Sequence, residues 1–249
     1  ARNRKQRHSL ATEDLGGGMR AGFNFEEGVN LASGAASGFQ RAAWMNLSGG
    51  FGEVRLGRTL NPSFFAAAAW ELTGTANYSA VTNQFAAVLG EAPLVGTPPA
   101  AAPFNIRNNS QIAYTTPNMG GVSATLGYVF SADTPAGFGA KTDLNVIYRG
   151  GPLAVALGAN RLAGGAGTNW HVGANYNFGA FRVAGAWIDP AGAAKGFTIG
   201  GSTNVGPLAL TLDVARDTNA KDTDFLVEAK YPLRKRTFAY AAFLRDGDK

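Results

Sequence analysis

Apolar and polar residues alternate along almost the whole chain, and this period of two constrains the fold more than any other feature. Between residues 19 and 26 the odd positions hold Met, Ala, Phe and Phe, while the even positions hold Arg, Gly, Asn and Glu. The same alternation returns in about fourteen segments, and a period of two predicts β-strands with two different environments. No segment has a clear helical period. The sequence therefore predicts an all-β protein.

Tight connections alternate with long ones between these segments. Glycine-rich turns occupy residues 48–52 and 149–152, for example, whereas residues 27–38 and 131–140 form longer loops. In an up-and-down sheet, alternate connections lie at opposite ends of the strands. One end should therefore carry the turns and the other end the loops, which is typical of a transmembrane antiparallel barrel of the outer membrane. Such a barrel turns its apolar face to lipid and keeps a polar lumen.

Composition and charge limit the classes of function. The chain of 249 residues has no cysteine, which excludes a disulfide framework and a thiolate metal site. Its net charge is +5, but the Lys and Arg residues are scattered over the strands rather than gathered in a tract. We therefore expect no nucleic-acid partner. No apolar run approaches eighteen residues, so no transmembrane helix is predicted.

The longest insertion, residues 59–104, lies between two strand-like segments and is rich in Ala, Pro, Gly, Phe and Thr. Its only carboxylates are Glu71 and Glu91, and we count both among the candidate residues of the pore constriction. A loop of this length inside a compact domain is usually functional. We predict that it folds into the barrel and narrows the lumen.

Five motifs in register resemble the general diffusion porins of β-proteobacterial outer membranes. They are TEDLGGG at 12–18, MRAGFNFEE at 19–27, LSGGFGEVRLGR at 47–58, NIRNNSQIAYTTPNMGG at 105–121 and LRKRTFAYAAF at 233–243. Each motif alone is weak, but their order and approximate spacing match the family over nearly the whole chain. The resemblance implies a single porin domain over 1–249, with 59–104 as its third, constricting loop. It also implies sixteen strands, so either this chain lacks the first and the last or a fourteen-stranded barrel closes differently; we expect the former.

The resemblance further implies a homotrimer in contact with outer-membrane lipid and lipopolysaccharide. The function it implies is a water-filled channel for passive diffusion of small hydrophilic solutes and ions. A non-conducting structural or adhesive outer-membrane barrel is the alternative, and a soluble β-sandwich is a third interpretation. The channel needs no cofactor and no catalytic residue.

Charged residues on the lumenal parity are the candidates for the pore constriction. Strand parity places Arg20, Arg55 and Arg107 on that face together with Glu53. In the family, arginines at positions that match Arg55 and Arg107 line the constriction wall opposite the loop. Clustered guanidinium groups raise the local anion concentration, so we predict a preference for anions. Alternatively, these arginines pair with Glu53 or with loop carbonyls and only fasten the loop.

Other charged and polar residues have weaker assignments. Arg41 and Arg58 fall on the apolar parity and are expected near a rim or a bulge. The segment around Arg4, Arg7 and His8 departs from the family pattern, which leaves any lumenal role there open. His171 should line the pore as a polar residue. The two histidines lack acidic neighbours at ligand spacing, so no metal site is predicted.

Overall fold

The structure of the protein is a computed structural model. It describes residues 4–30, 32–36, 38–76, 78–85, 106–192, 194–234 and 237–247. Within these residues, 14 strands form one antiparallel sheet in which every strand pairs with its neighbours in chain order. This meander confirms the predicted all-β, up-and-down architecture.

In the part of the chain that the structure describes, two helices interrupt the series of strands, and a 3-10 turn follows β6. The strands are β1 Arg4–Gly16, β2 Met19–Asn30, β3 Ala42–Gly49, β4 Gly52–Leu60, β5 Arg107–Thr115, β6 Val122–Val129, β7 Lys141–Gly150, β8 Leu153–Leu162, β9 Thr168–Asn177, β10 Phe181–Asp189, β11 Gly196–Val205, β12 Leu208–Asp217, β13 Asp222–Arg234 and β14 Thr237–Arg245. The helices are α1 Pro62–Trp70 and α2 Ala80–Gln84, and the 3-10 turn spans Ser131–Asp133.

The connections have the predicted asymmetry. Two residues join β3 to β4, and two join β7 to β8, whereas the β2–β3 and β6–β7 connections each exceed ten residues. Short and long connections alternate along the sheet, so all turns lie at one end of the strands and all loops at the other.

Burial in this sheet is inverted with respect to a soluble protein. On β7, Asp143 and Asn145 are buried, whereas Val146 and Tyr148, which have the opposite parity, are exposed. The same holds on β9, where His171 is buried and Val172 is exposed. Exposed apolar side chains over a whole sheet face would be unfavourable in water but match the hydrocarbon core of a bilayer. The buried polar face is therefore the lumenal one.

The insertion after β4 covers part of this lumenal face. Helix α1 packs against β7, β8 and β9, and α2 packs against β12 and β13. Neither helix was predicted, because the sequence shows no clear helical period. Helix α1 has the sequence PSFFAAAAW, which is apolar on every side and therefore shows no amphipathic period. Among the described residues, no helix has the length and apolarity needed to cross a membrane.

Local chemistry explains why these two short helices form. Pro62 opens α1, where a missing backbone N–H costs nothing, and four alanines with high helix propensity follow. In α2 the N-cap residue is Ser79, and its side chain accepts a hydrogen bond from the Thr82 backbone N–H at 3.0 Å.

Candidate functional site

The first turn of α1 is fixed to the wall by a buried carboxylate. Asp143 accepts hydrogen bonds from the backbone N–H of Ser63 at 2.7 Å and from its hydroxyl at 3.0 Å. The neighbouring Asn145 donates from its side-chain amide to the Pro62 carbonyl at 2.8 Å. A carboxylate at a helix N-terminus is favourable because unpaired N–H groups point towards it. These contacts hold the start of the loop against β7.

His171 joins both ends of α1 to β9. Its Nδ1 accepts a hydrogen bond from the Trp70 indole N–H at 3.2 Å, and its Nε2 lies 3.2 Å from the Ser63 carbonyl oxygen. A carbonyl can only accept, so these two contacts require the neutral tautomer with the proton on Nε2. Asn175 adds a hydrogen bond of 2.8 Å to the Ala69 carbonyl. His171 is on the lumenal face as predicted, but it is fully buried under α1 and does not line open water.

Two glycines in the wall leave space for α1. A Cβ added to Gly173 would come within 2.6 Å of the Trp70 ring, and a Cβ on Gly158 would lie 3.0 Å from the Ala66 side chain. Real Cβ atoms do not approach ring atoms this closely, so the Trp70 ring would have to move. The absence of a side chain at these positions lets the helix approach the sheet closely.

The far part of the loop is held by acidic residues of β13. The Tyr78 hydroxyl donates to the Glu228 carboxylate, and its ring stacks on Tyr240 with centroids 5.5 Å apart. Burial and the bond to Glu228 raise the pKa of Tyr78 above its usual value, so the hydroxyl keeps the proton that it donates. Asn83 of α2 donates to Asp224 at 2.8 Å. Both ends of the described loop are therefore fixed to the lumenal wall.

Only one of the two loop carboxylates, Glu71, lies within the described residues, and it is turned away from open water. Glu71 turns back into the loop and accepts hydrogen bonds from the Thr73 N–H at 2.8 Å, the Thr73 hydroxyl at 2.7 Å and the Thr75 N–H at 2.6 Å. It is buried. Its position explains the local fold of the loop better than it explains ion passage. Glu91 lies outside the described residues.

Arg55 lies on the lumenal wall between a carboxylate and an aromatic ring. Its guanidinium group is 2.6 Å from Glu53 and 4.4 Å from the centroid of the Trp44 ring. Asn46 on β3 donates to the other Glu53 oxygen at 2.6 Å. The pairing with Glu53 that we considered is thus present. Stacking and pairing fix the orientation of the guanidinium group and leave about a quarter of the side chain exposed.

A cavity of about 330 Å³ lies between this wall and α1. Arg55, Glu53, Phe65 of α1 and Arg149 of β7 are among its lining residues. Arg149 was not among the predicted constriction residues. The sequence could have placed Arg149 on the lumenal face, because it has the same parity on β7 as Asp143 and Asn145.

Arg20 is on the same face as Arg55 but farther towards the turns. It pairs in register with Asp14 of β1 and Ser48 of β3, and Ser48 in turn pairs with Glu53. Because directly paired residues of antiparallel strands point to the same side of a sheet, Arg20, Ser48 and Glu53 share the lumenal face. Arg20 is exposed.

Arg107 does not share this face, which corrects the parity assignment. Gly57 pairs with Gln111, but Thr59 pairs with Asn108, so β5 has one extra residue at a bulge beside Ser110. A bulge reverses the parity beyond it. Asn108 consequently joins Gln111 on the lumenal side, and Arg107 lies on the other parity and donates to the Arg41 backbone carbonyl at 2.7 Å.

Arg41 and Arg58 lie near the same end of the strands, as predicted. Arg41 forms an ion pair with Glu26, and Arg58 donates to the Gln40 carbonyl at 2.5 Å and to the Asn109 side chain. Together with Arg107, these groups stabilise the loop end of β2–β5.

The charges of the lumenal face differ in their access to water. Several carboxylates are buried beneath the loop or in the wall, with less than a twentieth of each residue exposed: Asp143, Asp213, Asp224 and Glu228. Lumenal arginines are instead exposed at Arg20, Arg149 and Arg182, and partly exposed at Arg55. The solvent-accessible part of this surface therefore carries a larger share of positive than of negative groups.

Comparison with known proteins identifies the class of this barrel. A family model described as Gram-negative porin matches residues 8–249. The chain belongs to the Gram-negative porin family. Outer membrane porin protein 32 of Delftia acidovorans is 34% identical over 267 residues, which cover 95% of this chain and 73% of that protein. An outer membrane porin of Bordetella pertussis is 30% identical over 169 residues, covering 61% of this chain and 40% of that protein.

Solved structures agree with this family assignment. An anion-selective porin from Comamonas acidovorans has a TM-score of 0.75 and 30% identity, covering 98% of this chain and 79% of that chain. A mutant of Rh. blastica porin has a TM-score of 0.73, with 98% and 85% covered; at 16% identity it supports the fold alone. The porin is an outer-membrane channel for passive diffusion, which confirms the predicted function and favours it over a non-conducting barrel.

Proposed function

We propose that this porin prefers anions and that its constriction is formed by the loop 59–104 facing a wall that contains Arg20, Arg55 and Glu53. The observation that carries the proposal is the unequal access of charges on the lumenal face. Its arginines remain exposed, whereas carboxylates such as Asp143 and Glu228 are covered and hydrogen-bonded by the loop. The likeness to a porin that is itself anion-selective supports the proposal.

The mechanism is electrostatic and involves no covalent step. A unit charge about 6 Å from an ion in water changes its energy by about 0.7 kcal/mol, which alters the local ion concentration about threefold. The effect is favourable for anions beside Arg55 and unfavourable for cations. A lumen narrowed by α1 brings solutes within this distance of the wall, and the same narrowing limits their size.

We also propose that the porin assembles as a homotrimer, with lipid and lipopolysaccharide against its exposed apolar face. The motifs that resemble the general diffusion porins support this assembly. The apolar side chains on that face, among them Leu126, Val146 and Ile199, give the chemistry that a lipid-facing or subunit-facing surface requires.

The reversal potential of the purified porin in a planar bilayer, under a salt gradient, tests the proposal. We expect an anion-selective potential for the native protein. Arg55→Gln should lower the anion-to-cation permeability ratio by up to about tenfold, because removal of one unit charge lowers the local anion concentration and raises the local cation concentration about threefold each. Arg161→Gln is the matched control, since Arg161 pairs with Thr142 on the opposite face of the sheet.

The outcomes separate the two roles of Arg55. If Arg55→Gln leaves the ratio unchanged while conductance rises, the arginine only fastens the wall and the loop. If Arg161→Gln shifts the ratio as much as Arg55→Gln, selectivity does not arise at the proposed constriction. Openings in groups of three would support the trimer.

A further inference from the structure

Three carboxylates meet at the loop end of the last two strands. They belong to Asp222 and Asp224 at the start of β13 and to Asp246 directly after β14, and one oxygen of each lies within 4.8 Å of the others. Asp222 and Asp224 are buried, and Asp246 is exposed. The register places Asp222 and Asp224 on the lumenal face, because Asp224 pairs with Ala215 and Asp222 with Asp217. This group is separate from the Arg55 wall.

A buried oxygen of this group accepts no hydrogen bond. Asp222 Oδ1 is shielded from solvent and has no hydrogen-bond partner in the described part of the chain. It lies so close to Gly247 that a Cβ there would overlap it. The Gly247 N–H in turn donates to Asp224 Oδ1 at 3.1 Å. Asp222 Oδ1 thus lies beside the same residue, Gly247, whose N–H donates to Asp224.

Such an oxygen needs a positive partner. Buried polar groups are almost always satisfied, and an ionised carboxylate without a partner is especially unfavourable. The neighbouring carboxylates make the potential at Asp222 more negative. A divalent cation would offset this repulsion and fill the missing contact at once.

We propose that Asp222, Asp224 and Asp246 bind a divalent cation, with Ca²⁺ as the preferred ion. Calcium is bound by oxygen ligands at about 2.3–2.6 Å, so two oxygens on opposite sides of one ion lie about 5 Å apart. One oxygen of each carboxylate lies within 4.8 Å of the others, so a single ion could contact all three. The exposed side of Asp246 leaves room for water as further ligands. Neither histidine belongs to this site, so the lack of acidic neighbours around the histidines does not bear on it.

The cation would act on the constriction loop through one hydrogen bond. Asp224 accepts from Asn83 of α2 at 2.8 Å with its second oxygen, Oδ2, while Oδ1 faces Gly247. Calcium at the carboxylates would fix Asp224 and thereby the far part of the loop. It would also join β13 to the end of β14. We therefore expect calcium to stabilise the barrel without altering the Arg55 wall.

The test is calcium titration of the chelator-treated, detergent-folded porin by isothermal titration calorimetry. We expect one Ca²⁺ per chain and, in a parallel thermal scan, a melting temperature that rises with calcium concentration. Asp222→Asn should weaken binding by about tenfold or more, because ligand charge sets calcium affinity. The matched control is Asp133→Asn, which alters a carboxylate on another exposed loop.

Each result decides for or against the site. Loss of the calcium-dependent rise in melting temperature in Asp222→Asn, with the rise retained in Asp133→Asn, would support it. If Asp222→Asn does not fold, Asp246→Asn replaces it, since Asp246 is exposed and lies outside the strands. Absence of binding by the native porin at millimolar Ca²⁺, or equal binding by both variants, would overturn the proposal. A melting temperature that responds to pH but not to calcium would also overturn it, because the carboxylates would then share protons instead.

Discussion

The lumenal faces of β3–β5 and of β7–β9 belong to one sheet and have the same polar character, yet the first borders open space and the second is covered by the loop. On β3–β5 the arginine of the wall remains in contact with open space, beside a cavity of about 330 Å³. On β7–β9 the polar groups Asp143, Asn145 and His171 are buried under α1. The difference shows that lumenal polarity alone does not create a pore lining. The loop decides which polar groups meet the solute.

The two regions also differ in how their polar groups find partners. The contacts of Arg55 with Glu53 and Trp44 both come from its own wall, while its buried Nε–H has no hydrogen-bond partner in the described residues. Asp143 and His171 depend on Ser63 and Trp70, which come from the loop. Removal of the loop contacts would leave buried donors and acceptors on β7–β9 but would change little at Arg55. Substitutions in the two regions should therefore separate stability from selectivity.

The largest effect should follow from Asp143→Ala, which removes the contact between β7 and the first turn of α1. Two hydrogen bonds to a buried carboxylate are lost, and the Ser63 N–H keeps no acceptor there. We expect the free energy of unfolding to fall by about 3 kcal/mol. Urea unfolding of the folded porin measures this, and single-channel conductance should rise as α1 loosens.

Asp133→Ala is the control for that substitution. Asp133 lies on the exposed 3-10 turn and accepts one hydrogen bond from Ser110 of β5. Loss of this hydrogen bond should lower the free energy of unfolding by less than about 1 kcal/mol. Equal losses in the two variants would mean that the contact between Asp143 and α1 does not hold the loop.

A somewhat smaller effect is expected for Gly173→Ala. The added methyl group would meet the Trp70 ring at 2.6 Å, and the helix must shift away from β9. Overpacking of this kind costs about 1–3 kcal/mol, with a change in conductance of either sign. Gly201→Ala is the control, because its Cβ would meet only the Arg182 carbonyl oxygen, at an ordinary 3.4 Å. Similar unfolding curves for both variants would show that Trp70 is not closely seated.

The polar lumenal face of both regions could be predicted from the sequence, but the covering of β7–β9 by α1 could not. Alternation along the strands placed Arg55 and His171 on the lumenal face, because side-chain direction follows from a period of two. It could not show that α1 covers His171, since that contact joins residues 108 positions apart. The helix itself had no amphipathic signature because α1 is buried among neighbours on most sides.

Arg107 shows a second limit of such patterns. Parity can be extended along a strand only while the register is regular, and one extra residue near Ser110 reverses it. Ser110 has a positive φ of 42°, a conformation that its sequence context does not announce. Glu71 shows a related limit. Glu71 finds backbone donors two and four residues ahead, so it folds inward.

Arg149→Gln should sharpen the open side of the comparison with a modest change in selectivity. Arg149 lines the same cavity as Arg55 but is exposed, so water and salt screen its charge more strongly. We expect the anion-to-cation permeability ratio to fall by less than the roughly tenfold loss expected for Arg55→Gln. Reversal potentials at low and high salt measure it, and the difference should shrink at high salt. A larger effect than that of Arg55→Gln would move the selective site towards β7.

The smallest effect, and one of opposite sign, is expected for Glu53→Gln. This change removes a negative charge beside Arg55 while it keeps a carbonyl oxygen that can accept from Arg55 or Asn46. Because the pair is partly exposed, its contribution to stability should stay below about 1 kcal/mol. The anion preference should rise by less than threefold, because the wall loses one partly exposed acid while Arg55 keeps its charge and an acceptor beside it. Glu53→Asp keeps the charge and serves as the control for altered packing. If Glu53→Gln lowers anion preference instead, Glu53 acts mainly by holding Arg55 in place, and orientation rather than net charge sets the selectivity of this wall.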